Sequence, residues 1–241
     1  MDYKLIYLAQ RNPAVSPQDW PRAWRSHAAF AAKFPVLDAQ ITGLYYCSRI
    51  FEPALDGAPV ALPGATREHD GVAVISSPFG VHVGGTLAPE DRARILEDEL
   101  RVFRIHTPNF SFRCKEVLVE GGAPGGAAVV RFLARKPGLS PEAFLARWRE
   151  TAPTLAAAAG AVRYVQNALI EPPPPGYPFD GVEETWFATA EDAVRFLAAQ
   201  PPRERARLGA LSDAGRSVTI ATDVIHGWPR PASAGGFGAT A

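Results

Sequence analysis

The sequence predicts an α+β fold in which one β-α-β-β-α-β unit occurs twice along its 241 residues. Three observations carry that prediction. Residues 8–20 align without a gap on residues 132–144, an offset of 124, and the same offset pairs Trp24 with Trp148 and Arg25 with Arg149. Arg, Pro, Ser, Pro, an aromatic residue, Trp and Arg therefore fall at one spacing, which is the mark of an internal repeat. Further along, Asp70-Gly71-Val72 returns as Asp180-Gly181-Val182, and Lys115–Val119 resembles Thr222–His226. The offset shrinks toward the C-terminus, which places the extra loop residues in the first copy. Third, the stretch 121–127 is rich in Gly and Ala and reads as a linker. It is followed by no Lys-Ser or Lys-Thr, so it lacks the chemistry of a phosphate loop. The expected organisation is a first unit over 1–120, a linker over 121–127, a second unit over 128–228 and a disordered tail over 229–241.

Each element follows from its residues. Residues 3–9 and 128–134 are short apolar runs rich in aromatic and β-branched side chains, bounded by Pro and Gly, and are expected to be strands buried on both faces. Helices are expected to start at Ser16-Pro17 and Ser140-Pro141, where Ser caps free N–H groups and Pro at the first helical position gives up no hydrogen bond. Trp20, Ala23, Trp24, His27, Phe30, Ala31 and Phe34 recur at helical spacing and define the buried face of the first helix. Phe144, Leu145, Trp148, Thr151 and Leu155 do so in the second copy, with Pro153 ending or bending it. Second strands are expected over 39–51 and 162–170, third strands over 71–76 and 182–188. Second helices follow over 89–103 and 190–199, and closing strands over 114–119 and 217–225. This order is the ferredoxin-like pattern, twice. Two such units can bury their sheets against one another in one pseudo-twofold body.

Composition narrows the function. The 25 Lys and Arg balance 25 Asp and Glu, and no basic cluster exists of the kind that neutralises several phosphates, so nucleic acid is not an expected partner. The basic stretches 92–94 and 203–207 are flanked or interrupted by acids and read as solvated helix faces. No run of 18 apolar residues occurs, which excludes a membrane-spanning helix, and the N-terminus lacks the pattern of a signal peptide. A cytoplasmic location is expected. Cys47 and Cys114 are too few and too far apart for a zinc site or a disulfide framework and read as small buried side chains. No His or carboxylate spacing suggests a metal site.

The segment 135–144, followed by Trp148 and by Tyr164-Val165-Gln166-Asn167, resembles the EthD family of dimeric α+β barrels. So do Ser16-Pro17 through Trp24, His27-Ala28, and Asp180–Phe187. The resemblance covers nearly the whole chain as a tandem copy. It implies that the two ferredoxin-like halves form a barrel within one chain, with a pocket between each sheet and its helices. Relatives of that barrel include polyketide cyclases, muconolactone isomerases, cofactor-independent quinol monooxygenases and haem-handling enzymes. A Gly-x-x-Asp-Gly motif would accompany haem at Asp70-Gly71, but Arg67 stands at its first position. No cofactor is expected.

The resemblance also implies a Trp-x-x-His pattern on the first helix, matched by Trp24-Arg25-Ser26-His27, whereas Thr151 takes the His position in the second copy. His27 lies on the apolar helix face, where a partly desolvated imidazole suits proton transfer; a packed core histidine is the alternative. Tyr7, Trp24, Tyr45, Tyr46, Phe51, Phe79, Phe103 and Phe110 crowd the first copy and suit a hydrophobic pocket. Tyr45 and Tyr46 point to opposite faces of their strand, so at most one can face it. His82, His106 and Asn109 lie in insertions of the first copy and are candidates for the pocket rim. His69-Asp70 reads as turn chemistry. The leading expectation is an enzyme in which His27 transfers protons on a hydrophobic carbonyl, phenolic or polyketide-like substrate, as a lyase, isomerase or cyclase. A cofactor-independent oxygenase using the same pocket, and a non-catalytic metabolite-binding or accessory protein, are the alternatives. The expected partner is a hydrophobic small molecule, with a homodimer allowed.

Overall fold

Both copies of the repeat fold into the expected order of elements in a computed structural model, which describes residues 2–35, 41–77, 87–154, 160–199 and 201–228. The first half runs β1 (Tyr3–Ala9), α1 (Trp20–Ala31), β2 (Gly43–Arg49), a small hairpin β3 (Ala54–Leu55) and β4 (Ala58–Pro59), then β5 (Gly71–Ser77), α2 (Pro89–Val102), a 3-10 turn (Thr107–Asn109) and β6 (Ser111–Gly121). The second half runs β7 (Ala127–Leu133), α3 (Pro141–Glu150), β8 (Ala161–Leu169), β9 (Gly181–Phe187), α4 (Ala190–Ala199), α5 (Pro202–Leu211) and β10 (Val218–Trp228). The expected tail falls outside the described residues.

Eight strands close into one barrel in the order β1-β5-β2-β10-β7-β9-β8-β6. Every pairing is antiparallel. Within each half the strands lie fourth, first, third, second, as the ferredoxin-like order requires. Each half is left with an open fourth and second strand, and β2 with β10 and β6 with β8 close those edges against one another, which removes unpaired strand edges. The barrel interior is filled from both halves, with Ile6, Leu8, Val72, Phe112, Val130, Phe132, Val182, Trp186 and Ile220 in one buried cluster. Cys47 and Cys114 are buried free thiols in that cluster.

The repeated residues have structural explanations. Asp70 Oδ2 accepts from the Arg11 backbone N–H at 2.9 Å, and Asp180 Oδ2 accepts from Arg135 N–H at 2.8 Å. Each Arg side chain also reaches back to a carbonyl, of Val15 and of Leu139. The Arg and the Asp-Gly thus fasten the end of each half's first strand to the start of its third, and Asp70 is more than a turn residue. Gly71 and Gly181 are needed because Trp24 and Trp148 lie against them. A Cβ on Gly71 would stand 2.4 Å from the Trp24 ring, and one on Gly181 2.6 Å from the Trp148 ring.

Several expectations need correction. Ser140 caps α3 by accepting from Ala143 N–H at 3.1 Å, but α1 begins three residues later than Pro17. Pro21 has no N–H to donate to the Pro17 carbonyl, so the helical ladder is interrupted there, and Ser16 instead accepts from Asp19 N–H at 3.1 Å. β7 is buried on both faces, whereas Tyr3, Leu5 and Tyr7 of β1 are half-buried. The stretch 203–207 belongs to α5, and Arg207 is not solvated: its side chain is 8% exposed and ion-paired. Among the described residues, no helix is long and apolar enough to cross a membrane.

Two charged clusters are buried, built on Lys4 of β1, Arg131 of β7 and the adjacent Glu183 and Glu184 of β9. Inside the barrel, Lys4 Nζ lies 2.7 Å from Glu184 Oε1 and 2.9 Å from Glu116 Oε1. Glu184 also accepts from Asn167 Nδ2 at 2.7 Å and Trp186 Nε1 at 2.8 Å. Because Lys4 and Glu116 come from the first half and Glu184 from the second, the cluster ties the halves together. The other cluster, around Glu183, lies on the helix side of the second sheet.

Candidate functional site

On the helix side of the first half's sheet, Tyr7 of β1 and Tyr46 of β2 flank Ala73 of β5, each opposite it in register. His226 of β10 pairs with Tyr46 across the seam, with ring centroids 5.8 Å apart. The second half therefore contributes a residue to the first half's site. Helix α1 brings Trp24 and His27 down onto this surface, and α2 supplies Asp98 and Glu99.

His27 is 5% exposed, and its Nδ1 lies 2.7 Å from Asp98 Oδ2. The other Asp98 oxygen accepts from Arg101 Nε at 2.7 Å and from its Nη2, which fixes the carboxylate. The His27 ring meets Phe103 edge-on at 5.5 Å. An imidazole that donates Nδ1–H to a carboxylate carries its lone pair on Nε2, the arrangement an oriented general base requires.

Glu99, one residue on, points elsewhere. It accepts from Thr107 N–H at 3.0 Å and Thr107 Oγ1 at 2.6 Å, and His106 Nδ1 stands 3.4 Å away. Burial, with the Glu99 charge adding to it, raises the Tyr46 phenol well above its usual range; burial, then Tyr46 and Glu99, do the same to Tyr7. Both phenols therefore stay protonated and can donate. Burial, assisted by the nearby Arg25 charge, lowers His226 below the usual imidazole value.

The predicted site residues divide. Tyr7, Trp24, His27 and Tyr46 come together, although Trp24 is fully buried and stacked on Tyr46 at 4.8 Å, a packed wall and not an open surface. Tyr45 faces the opposite way, into the barrel interior, where its ring meets Trp186 at 5.2 Å. That orientation removes it from the His27 side of the sheet. His106 approaches Glu99 with its side chain 38% exposed. Asn109 is exposed and donates to the His106 carbonyl at 3.3 Å, so it serves its own turn. His82 and Phe79 lie outside the described residues. Asp98, Glu99 and His226 belong to the site but were not singled out from sequence. The first two read as part of a mixed-charge helix, and only the strand pairing between halves brings in His226.

The second half has diverged at the corresponding positions. Arg131, Glu183 and Gln166 stand in register where Tyr7, Ala73 and Tyr46 stand in the first. Glu183 is fully buried and takes two hydrogen bonds from Arg207, at 2.7 and 2.8 Å, with others from Trp148 Nε1 at 2.5 Å and Tyr164 OH at 2.9 Å. Burial alone would raise this carboxyl. The Arg207 guanidinium, helped by Arg131, outweighs that and holds it at about 2. Thr151, at the His27 position, donates to the Arg147 carbonyl at 2.7 Å and has no acid/base capacity near neutral pH. Among the described residues no group of three His, Cys, Asp or Glu side chains is arranged to hold a metal ion.

Fold and repeat together define a duplicated ferredoxin-like α+β barrel closed within one chain. Residues 136–205, within the second half, match the model of the EthD domain family. No curated protein matches the chain in sequence. Among solved structures, an anthrone oxidase-like protein superposes with a TM-score of 0.58 at 11% identity, over 100% of this chain and 97% of its own. A candidate monooxygenase from Fusobacterium nucleatum subsp. nucleatum ATCC 25586 gives 0.54 at 7% identity, covering 94% and 92%. Another from Lactobacillus acidophilus NCFM gives 0.53 at 8% identity, covering 94% of each chain. At these identities the likeness is one of fold.

Proposed function

We propose that the chain is a small-molecule enzyme that moves a proton on a hydrophobic carbonyl, phenolic or polyketide-like substrate, with His27 as its acid/base. The observation that carries this reading is the 2.7 Å contact between His27 Nδ1 and Asp98. It orients the imidazole and stabilises the imidazolium that forms when Nε2 takes a proton. In this reading Tyr46, kept protonated by burial, donates to an oxygen that gains negative charge, and the apolar residues packed around it, Phe103 and Phe110, keep the site dry. Elimination, isomerisation and ring closure all begin with such a proton removal.

A second reading shares the first step. The fold relatives named as candidate monooxygenases and as anthrone oxidase-like favour it. In that form the carbanion left by His27 is oxidised by O2 without a cofactor.

The test is hydrogen–deuterium exchange by NMR on a panel of β-diketones, anthrone-type ketones and phenols in deuterated buffer. The wild type is expected to accelerate exchange at the acidic carbon of a bound member, and His27→Ala to lose about 10²–10⁴ of that acceleration. A folded His27→Ala variant that exchanges at the wild-type rate overturns the proposal. Oxygen uptake coupled to product, measured on protein free of metal and flavin, selects the second reading over the first.

A further inference from the structure

The second half holds a cleft of about 840 Å³ between α3, α4, α5 and the sheet, a size typical of small-molecule sites. Its walls are mainly apolar, from Ala152, Pro153, Phe196, Pro201, Pro202 and Ala210. Thr151, Thr154, Thr185, Arg203, Glu204 and Arg207 supply its polar part. Thr185 on β9 is 1% exposed and lines the cleft. A hydroxyl on this enclosed wall can exchange a hydrogen bond with a ligand oxygen. At the mouth, α5 starts at Pro202, and Pro201 before it supplies no side-chain cap, so the first-turn N–H groups of Arg203 and Glu204 have no capping acceptor. Arg203, exposed at the same mouth, has no ion-pair partner among the described residues. Together they favour an anion there. Glu204 does not oppose it, because Arg131 at 3.0 Å and Arg207 at 2.8 Å already neutralise its carboxylate.

We infer that this cleft is a second ligand site, distinct from the His27 site, and that it takes an apolar monocarboxylate bearing a hydroxyl or keto oxygen at its far end. The carboxylate sits at the α5 N-terminus and Arg203, the apolar body lies against Phe196 and the prolines, and the far oxygen pairs with Thr185. Thr151 and Thr185 cannot accept a proton as an imidazole does, so this half binds without proton transfer.

The test uses a hydroxynaphthoate with its carboxylate and hydroxyl at opposite ends of the ring system, titrated by its own fluorescence against the full chain. Saturable binding is expected, unchanged in His27→Ala, which separates this site from the proposed catalytic one. Ala210→Trp, at an exposed α5 position, fills the cleft and is expected to abolish binding. Arg203→Ala is expected to weaken it about threefold to fivefold at low salt while leaving naphthol binding unaltered. Thr185→Val, of similar shape, is expected to weaken hydroxynaphthoate about threefold to tenfold and leave naphthoate, which lacks the hydroxyl, unaffected. Absence of saturable binding, or binding indifferent to Ala210→Trp, overturns the inference.

Discussion

Replacing Lys4 by Met lowers the unfolding free energy by about 3–5 kcal/mol, measured by urea denaturation near neutral pH. Lys4 is 6% exposed and is shared by two carboxylates inside the barrel. Without it Glu116 keeps Arg163 at 3.4 Å and the Asp2 N–H at 3.1 Å, but Glu184 keeps only neutral donors, Asn167 and Trp186. An uncompensated charge is then left in a dry interior, which costs much more than the intact cluster contributes. The loss is about a third of the roughly 5–15 kcal/mol by which a typical domain is stable. Lys4→Met combined with Glu184→Gln removes the stranded charge, so the double variant is expected to be more stable than Lys4→Met alone. A double variant whose loss equals the sum of the two single losses contradicts the coupling between the halves.

The second large effect is expected at Glu183. Glu183→Gln leaves Arg207 and Arg131 facing a neutral amide, with Glu204 as their remaining anion. It is expected to cost about 3–5 kcal/mol, by the same reasoning about broken buried pairs. The pH dependence follows from the sign of the shift. The folded-state value, about 2, lies below that of an unfolded Glu, so the stabilisation is complete above the usual carboxylate range. It is lost progressively as the pH falls from about 5 toward about 2. Glu116, whose burial is outweighed by Lys4 and the Asp2 N–H, is lowered too and acts in the same direction. The wild type is therefore expected to lose stability steeply in that acid window, and Glu183→Gln to lose less over it. Identical pH profiles for the two proteins would contradict the assignment of Glu183 as a buried anion.

These clusters show where sequence reading stopped. The repeat made the two ferredoxin-like halves legible, because Arg11 and Arg135, Asp70 and Asp180, Trp24 and Trp148, and Gly71 and Gly181 each do the same structural task in both; the closed barrel came from the family resemblance. Patterning also placed Ser140 correctly as a cap, since nothing interrupts the ladder after Pro141, whereas Pro21 delays α1. What escaped was non-local. Glu183 and Glu184 are sequence neighbours on opposite faces of one strand, and only the sheet register shows that one meets Arg207 while the other meets Lys4. Helix α5 carries so many charges that its buried Arg207 read as a solvated residue. His27 was visible from its helical spacing, but its partner Asp98 lies 71 residues away on another helix. His226 required the seam between the halves. Single ionic residues within apolar strands, such as Lys4 and Arg131, were the signal that could have exposed both clusters.

The central proposal is that His27 donates Nδ1–H to Asp98, leaving Nε2 as the base. It can be read directly from the ¹⁵N resonances of the His27 ring by NMR, without knowledge of the substrate. The account predicts that the neutral ring is protonated at Nδ1 and carries a lone pair at Nε2, and that Asp98→Asn disturbs this preference. A neutral ring with its proton on Nε2 in the wild type would contradict it.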